Sequence, residues 1–155
     1  MASLHVLSKK FRTALMAIAS SAFILLSGAA AANPEIEIFK SPSCGCCTKW
    51  ADYLKDNGFD VKLKETENLN PIKMSARIPA GKGSCHTAFI DGYVIEGHVP
   101  AEDIKRLLEE KPDAQGLTVP GMPVGSPGME MGARKDAYQV LIFQKDGTTE
   151  VFSEH

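Results

Sequence analysis

The stretch KSPSCGCCTKW (residues 40–50) places three cysteines within four positions. Cys44 and Cys47 have the C-x-x-C spacing of a thiol–disulfide redox centre, and Cys46 lies inside that motif. The stretch follows EIEIF (35–39), whose alternation predicts a strand, and it begins a helical pattern. The sequence therefore predicts a cysteine turn between a strand and a helix, and the third cysteine suggests a role beyond electron transfer.

Strand and helix patterns alternate along the chain around this turn. The predicted elements are strands at 35–39 and 59–65, helices at 46–58, 68–78 and 100–111, and hairpins at 85–97 and 137–154. Asp-Gly pairs at 91–92 and 146–147 are predicted to turn the two hairpins. Asn70 is predicted to cap the short second helix and Pro71 to occupy its first position.

Residues 112–133 are rich in Gly, Pro and Met, and this composition predicts a long loop without regular structure. The order of elements on either side of the loop predicts a single α/β domain. Its mixed central sheet would be flanked by helices, and the second hairpin would extend it at the carboxyl terminus.

The first 32 residues have the pattern of a cleaved signal peptide. Three basic residues precede an apolar stretch, and the small residues AAA at 30–32 suit a cleavage site. We therefore expect export, with residues 33–155 as the mature domain. An uncleaved membrane anchor is the weaker alternative, because the apolar stretch is short for a membrane span and Ser and Thr interrupt it.

The charge of the mature domain excludes some classes of partner. The signal segment contains three basic and no acidic residues, so the remainder has 14 basic and 19 acidic residues and a net charge of −5. It has no Lys/Arg-rich run. Nucleic acid is therefore not an expected partner, and neither is a membrane once the signal peptide is removed.

All four cysteines of the chain lie in the mature part: Cys44, Cys46, Cys47 and Cys85. Two structural disulfides are the first expectation for an exported protein. A bridge between the neighbours Cys46 and Cys47 would be strained, however, and three cysteines on one turn gain little from loop closure. A helix amino terminus favours thiolates, which serve as nucleophiles and as ligands of soft metals. A functional cluster is therefore the favoured interpretation.

The segment CHTAFIDGYVIEG (85–97) contains FIDG and is similar to the penultimate hairpin of glutaredoxin-type proteins, which have the thioredoxin-like fold. The resemblance implies that Cys85 approaches the cysteine turn from a neighbouring strand. In that family an X-Pro pair with a cis proline precedes this strand. Here the alignment places Cys85 at the X position and His86 at the proline position, which is a departure from the family pattern.

Three motifs together resemble the CopG-type family of exported, copper-resistance-associated metal-binding proteins: SPSCGCC (41–47), SCHTAFIDGYVIEGHVP (84–100) and GLTVPGMPVGSPGME (116–130). The resemblance covers essentially the whole mature chain. It implies a thioredoxin-like domain that binds copper through its cysteines in the bacterial periplasm and has a redox role. Copper ions and other periplasmic copper-handling proteins are the partners that it implies.

The donor set favours copper over zinc. Structural zinc sites usually use two spaced pairs of Cys or His ligands. The adjacent Cys46 and Cys47 do not easily converge on one ion, and they more readily serve different ions of a small multinuclear cluster. Cu(I) prefers soft sulfur ligands and accepts low coordination numbers, so the sequence, together with the family resemblance, predicts Cu(I). Zinc remains the less favoured metal.

Residues near these motifs have two interpretations each. His86 either takes part in the site as a ligand or base, or is an inert loop histidine. Met122, Met129 and Met131 either contact or deliver copper, or form an apolar lid over the cysteines. His98 is expected to abut the helix that starts near Pro100, with metal ligation as the weaker alternative. The carboxyl-terminal His155 is expected to be frayed.

Two functions remain open. The first is a periplasmic copper-binding protein that holds Cu(I) on four cysteines and couples thiol–disulfide chemistry to copper redox in copper resistance. The alternative is a thiol–disulfide oxidoreductase that uses Cys44 as nucleophile and Cys47 as resolving cysteine, without a physiological metal. The sequence leaves open whether the protein is an enzyme acting on copper or on thiols.

Overall fold

The structure, a computed structural model, describes residues 32–155, which form one compact unit from Ala32 to His155. The predicted signal peptide lies outside the described residues except for its last position. Within the described range, no helix combines the length and the apolar character needed to cross a membrane.

A seven-stranded mixed sheet organises the domain. In chain order the elements are β1 (Glu35–Lys40), α1 (Gly45–Asp56), β2 (Asp60–Glu65), α2 (Asn70–Ser75), β3 (His86–Ile90), β4 (Tyr93–Glu96), α3 (Ala101–Glu110), β5 (Gly116–Thr118), β6 (Gln139–Phe143) and β7 (Thr149–Glu154). The strand order is β2-β1-β3-β4-β5-β6-β7, with β1 parallel to β2 and antiparallel to β3. The predicted α/β domain with a carboxyl-terminal hairpin is confirmed, and its first four strands and three helices follow the expected thioredoxin-like order.

The strand β5 corrects the prediction of an unstructured loop over residues 112–133. Its three residues are buried, pair in parallel with β4 and antiparallel with β6, and so join the last hairpin to the main sheet. The glycine that suggested a loop is required by this packing. A Cβ at Gly116 would collide with the carbonyl group of Val94 on the neighbouring strand.

The start of α2 and the carboxyl terminus differ in detail from the predictions. Leu69 occupies the cap position and the helix begins at Asn70, whose backbone N–H donates to Asn68 Oδ1 at 3.0 Å. His155 is not frayed, because its Nε2 lies 2.8 Å from Asp103 Oδ2 and its ring stacks on Tyr138.

One apolar core holds the sheet and the helices α1 and α3 together. Its largest fully buried apolar side chains are Ile36, Ile38, Trp50, Leu54, Ile95, Ile104, Leu107 and Leu117. Burial of each such side chain stabilises the fold by roughly 1.5–3 kcal/mol. Trp50 also donates from Nε1 to the Val99 carbonyl at 2.9 Å, which ties α1 to the segment that precedes α3.

The two ends of the sheet are built differently. One end, which we call the polar end, contains the carboxyl ends of β1, β4 and β5 and the amino end of β3, with the helix starts and loop that adjoin them. Its buried polar side chains are Lys40, His86, Thr87, Glu96, His98, Asp103, Thr118 and Ser126. The opposite end, the turn end, is closed by the tight turns at Asp91-Gly92 and Asp146-Gly147.

Candidate metal centre

The cysteine turn lies at the polar end, between β1 and α1. Cys44 is the cap residue of α1, and its backbone N–H donates to the Ser41 carbonyl at 3.0 Å. No side chain caps this helix start, so the positive end of the helix dipole faces the cysteines. Cys47 is fully buried and Cys46 is partly exposed, so the turn presents sulfur both to the interior and to the surface.

The structure brings all four cysteine sulfurs together, within 4.8 Å of one another. Cys44 and Cys47 form a disulfide. Cys46 Sγ lies 3.5 Å from Cys44 Sγ and 4.0 Å from Cys85 Sγ, and Cys85 Sγ lies 3.4 Å from Cys47 Sγ. Cys85, which precedes β3, therefore completes a cluster whose other members belong to one turn of α1.

His98, expected to abut α3 with metal ligation as the weaker alternative, lies beside the cysteine cluster. Its ring is fully buried, and Nδ1 lies 2.8 Å from the Pro127 carbonyl, so Nδ1 carries the proton. Burial lowers the pKa of His98, which favours the neutral ring. Its Nε2 lone pair therefore faces Cys85 Sγ, 3.1 Å away. This nitrogen can accept the thiol proton or bind a metal.

A signal for His98 was present in the sequence. In the β3–β4 hairpin Thr87 pairs with Glu96, and the same register continued outward places Cys85 opposite His98. The two-residue Asp91-Gly92 turn sets that register.

His86 lies beneath the cluster and is fully buried. Its Nδ1 is 3.4 Å from Cys85 Sγ, and its Nε2 has no hydrogen-bond partner in the described structure. The ring packs on Trp50 with a centroid separation of 4.3 Å. Burial lowers the pKa of His86 well below its usual value, and His98 contributes to the same effect. Cys85, His86 and His98 thus form a second donor set with ligand atoms within 4.8 Å, and Cys85 belongs to both sets.

Cys85 is a protonated thiol in this environment. Burial, and secondarily the charge of Cys46, raise the pKa of the Cys85 thiol to about 12. The Ser84 hydroxyl, 3.9 Å away, acts in the opposite direction and more weakly. A metal that binds Cys85 must displace this proton, so binding and proton release are coupled.

The segment after β5 packs directly on the cysteine turn. Gly128 has φ +83°, and a Cβ there would lie 2.7 Å from Trp50 N and 2.9 Å from Cys46 O. The preceding Pro127 carbonyl accepts the hydrogen bond from His98. Of the methionines in this segment, Met129 is half-buried, whereas Met122 and Met131 are exposed. Their contact with copper stays a prediction.

The donor chemistry fits a soft metal. Thiolates and neutral imidazoles suit copper, and the same donors also suit zinc. With the Cys44–Cys47 disulfide in place, Cys46 and Cys85 are the free thiols. Reduction of the disulfide adds two sulfur ligands, so the number of thiolates available to a metal depends on the redox state of this pair.

Comparisons with known proteins give two kinds of match. A family described as "Protein of unknown function, DUF411" matches residues 82–129, which include Cys85, His98 and Gly128. No curated protein matches the chain.

Two solved structures are similar over nearly their whole length. One, titled "Copper resistance protein copG- Form 2", is 45% identical, with a TM-score of 0.75, and the match covers 79% of this chain and 98% of that one. The other, titled "Copper resistance protein copG- Form 1", is 46% identical, with a TM-score of 0.74 and coverage of 78% and 96%.

Proposed function

Because this chain belongs to the CopG family of copper resistance proteins, we propose that it binds copper as Cu(I) on Cys44, Cys46, Cys47 and Cys85. The observation that carries the proposal is the convergence of four sulfurs from two distant segments within 4.8 Å. Cu(I) matches these soft donors and tolerates the low coordination numbers that adjacent cysteines impose.

The imidazoles extend the proposed site beyond sulfur. His98 Nε2 lies 3.1 Å from Cys85 Sγ and is unprotonated in the tautomer that the Pro127 carbonyl selects. His86 Nδ1 lies 3.4 Å from the same Cys85 Sγ and offers a second imidazole nitrogen beside this sulfur. Cys85 belongs both to the four-cysteine donor set and to the set that it forms with His86 and His98. Two overlapping donor sets suit more than one ion, so we propose a multinuclear copper site.

We propose that the protein works in the periplasm after removal of residues 1–32. The signal-peptide pattern supports export, and a Cys44–Cys47 disulfide persists in an oxidising compartment. The test is the mass of the protein recovered from the periplasmic fraction. A mature chain beginning at Asn33 is expected, and a full-length chain in the membrane fraction would contradict the proposal.

The disulfide also supports a redox role. Oxidation of the Cys44 and Cys47 thiols to one disulfide releases two electrons and two protons, enough to reduce two Cu(II) ions to Cu(I). Thiol–disulfide exchange with a protein substrate is the second candidate function, and the same C-x-x-C disulfide favours it. Insulin reduction that Cys44→Ser abolishes and copper does not affect would select the second candidate.

The loop methionines are proposed to pass copper between this site and other copper-handling proteins. Met122 and Met131 are 53% and 66% exposed, where thioethers are accessible to a partner. Replacing both with Leu is expected to slow copper transfer to a thioether-containing acceptor peptide. Met74→Leu, an equally conservative change at an exposed methionine on α2, is the control and should leave transfer unchanged.

The decisive experiment is an anaerobic Cu(I) titration of the reduced mature protein against a competing chelator. The wild-type protein is expected to take up more than one Cu(I) tightly, and Cys46→Ser and Cys85→Ser are each expected to weaken uptake. Met74→Leu controls for nonspecific effects of substitution. Weak uptake that is indifferent to Cys46 and Cys85 would overturn the copper proposal.

A further inference from the structure

A fully buried carboxylate accepts a hydrogen bond from the residue that precedes Cys85. Glu96, the last residue of β4, has no exposed surface. Its Oε1 accepts hydrogen bonds from Lys73 Nζ at 2.5 Å and from the Ser84 backbone N–H at 2.6 Å, and its Oε2 accepts one from Thr87 Oγ1 at 2.7 Å. Burial of a charge is unfavourable unless it is paired and hydrogen-bonded, and all three donors converge here.

The bond to Ser84 connects this carboxylate with the cysteine cluster. Ser84 directly precedes Cys85 and is held from two further sides. Its hydroxyl donates to the Gly121 carbonyl at 2.5 Å, and a Cβ at Gly97 would lie only 2.6 Å from its side chain. The Glu96 carboxylate is the charged member of this set of contacts.

The surrounding elements show why a carboxylate is needed. Lys73 comes from α2, Ser84 from the segment before β3, and Thr87 from β3. Two acceptor oxygens serve donors from all three, whereas an apolar side chain would leave the Ser84 N–H and the Lys73 ammonium without this acceptor. Lys73 Nζ also donates to Thr87 Oγ1 at 3.1 Å, so the network is closed on itself.

We propose that Glu96 is a positioning residue for the metal centre. Its carboxylate holds the Ser84 amide so that Cys85 Sγ meets Cys46, Cys47 and His98, and Lys73 balances its charge. The inference rests on the proposed copper binding for its consequence, but the anchoring itself does not require a metal. Groups that orient metal ligands from outside typically change metal affinity 10- to 100-fold when removed.

The test uses the mature protein with Glu96→Leu, Glu96→Gln and Lys73→Met. Three properties are measured: hydrogen exchange of the Ser84 amide in metal-free protein, Cu(I) affinity, and the thermal unfolding midpoint. Glu96→Leu is expected to speed Ser84 exchange and to lower Cu(I) affinity about 10- to 100-fold. Glu96→Gln keeps one acceptor oxygen and is expected to restore part of both properties.

Asp103→Asn is the matched control, because Asp103 is also a buried carboxylate but is bonded to His155 rather than to the Ser84–Cys85 segment. It should leave Ser84 exchange and Cu(I) affinity unchanged even if it lowers the unfolding midpoint. Unchanged Ser84 exchange in Glu96→Leu, or the same loss of Cu(I) affinity in Asp103→Asn, would overturn the inference.

Two further outcomes separate this inference from the proposed function. If the wild-type protein binds no Cu(I), the copper proposal fails, and Ser84 exchange still decides whether Glu96 anchors the segment. If Glu96→Leu does not fold, Glu96→Gln decides. Ser84 exchange faster in Glu96→Gln than in the wild-type protein supports the anchor, and wild-type exchange refutes it. Lys73→Met, which leaves the Glu96–Ser84 bond in place, shows how much of the change comes from loss of the charge partner alone.

Discussion

The polar end and the turn end of the same sheet depend on different kinds of interaction. At the turn end, β3 passes to β4 and β6 to β7 through short Asp-Gly turns, and these need only local backbone geometry. At the polar end, the buried side chains of His98, Glu96 and Thr118 bond to partners 29, 12 and 36 positions away in sequence. At the polar end, polar side chains that form a donor set occupy positions where apolar side chains would pack better. The residues of the turn end need only to favour folding.

The first test of the polar end measures how fast the Cys85 thiol is alkylated, because this rate depends on its pKa. The rise in its pKa from 9.0 to about 12 leaves about 1000-fold less thiolate at pH 8, so alkylation of Cys85 in the metal-free native protein should be about 1000-fold slower than after unfolding. The folded state then binds the proton more tightly, so this contribution to stability is complete below pH 9 and is lost as the pH rises towards 12. Mass spectrometry of iodoacetamide-treated protein, with the Cys44–Cys47 disulfide intact, measures the rate.

Equal rates of Cys85 alkylation in the native and the guanidinium-unfolded protein at pH 8 would contradict this prediction. They would show that the polar end does not bury the Cys85 thiol.

The second test removes an imidazole from the polar end. His98→Phe keeps a ring of similar size but removes the nitrogen next to Cys85 Sγ, so Cu(I) affinity should fall about 10-fold or more. His155→Phe is the matched control, since His155 bonds Asp103 and is absent from both donor sets. Competition titration measures both variants. Equal affinities for His98→Phe and wild type would exclude His98 from the site.

The third test separates backbone strain from collision in the loop over the cysteine turn. Gly128→Ala should lose about 1–3 kcal/mol from the positive φ alone and more from contact with Trp50 N and Cys46 O. Gly132→Ala is the control, because Gly132 has φ +66° and no described atom lies within 4 Å of a Cβ added there. Urea unfolding followed by Trp fluorescence measures both. A loss in Gly128→Ala no larger than in Gly132→Ala would mean that the loop does not pack on α1.

The smallest effect is expected at the turn end. Gly92 has φ +83° and nothing within 4 Å of an added Cβ, so Gly92→Ala should lower the free energy of unfolding by about 1 kcal/mol through strain. Cu(I) affinity should not change, because the turn lies at the opposite end of the sheet. The same unfolding and titration experiments measure it. A fall in affinity would mean that the two ends are energetically coupled.

The sequence predicted the turn end better than the polar end, and the reason is the range of the interactions. The hairpins at 85–97 and 137–154 contain their own turn residues, so the local sequence is enough to predict them. The strand β5 was missed because its signal is burial between β4 and β6, strands that lie on either side of it in the chain. A three-residue strand with a glycine has no periodicity to detect.

The same limit applies to the site, whose residues could be predicted only where a local motif contains them. Clustered cysteines and the family resemblance indicated Cys85, because the motif itself carries the chemistry. For His98 the sequence favoured contact with α3 over metal ligation, although the hairpin register already placed it opposite Cys85. For Glu96 only its pairing with Thr87 follows from the hairpin register, since its other donors, Lys73 and the Ser84 N–H, come from α2 and from the segment before β3. Such networks are visible only once distant segments are placed in space.

The contacts of the loop after β5 also bear on how fast the domain folds. Its Gly121 accepts from Ser84, 37 positions away in sequence, its Pro127 accepts from His98, 29 positions away, and its Gly128 lies against α1. Contacts of large sequence separation slow folding, because the entropy of loop closure is lost before the contacts stabilise the chain. We therefore expect this loop to make the domain fold more slowly than its two hairpins would alone.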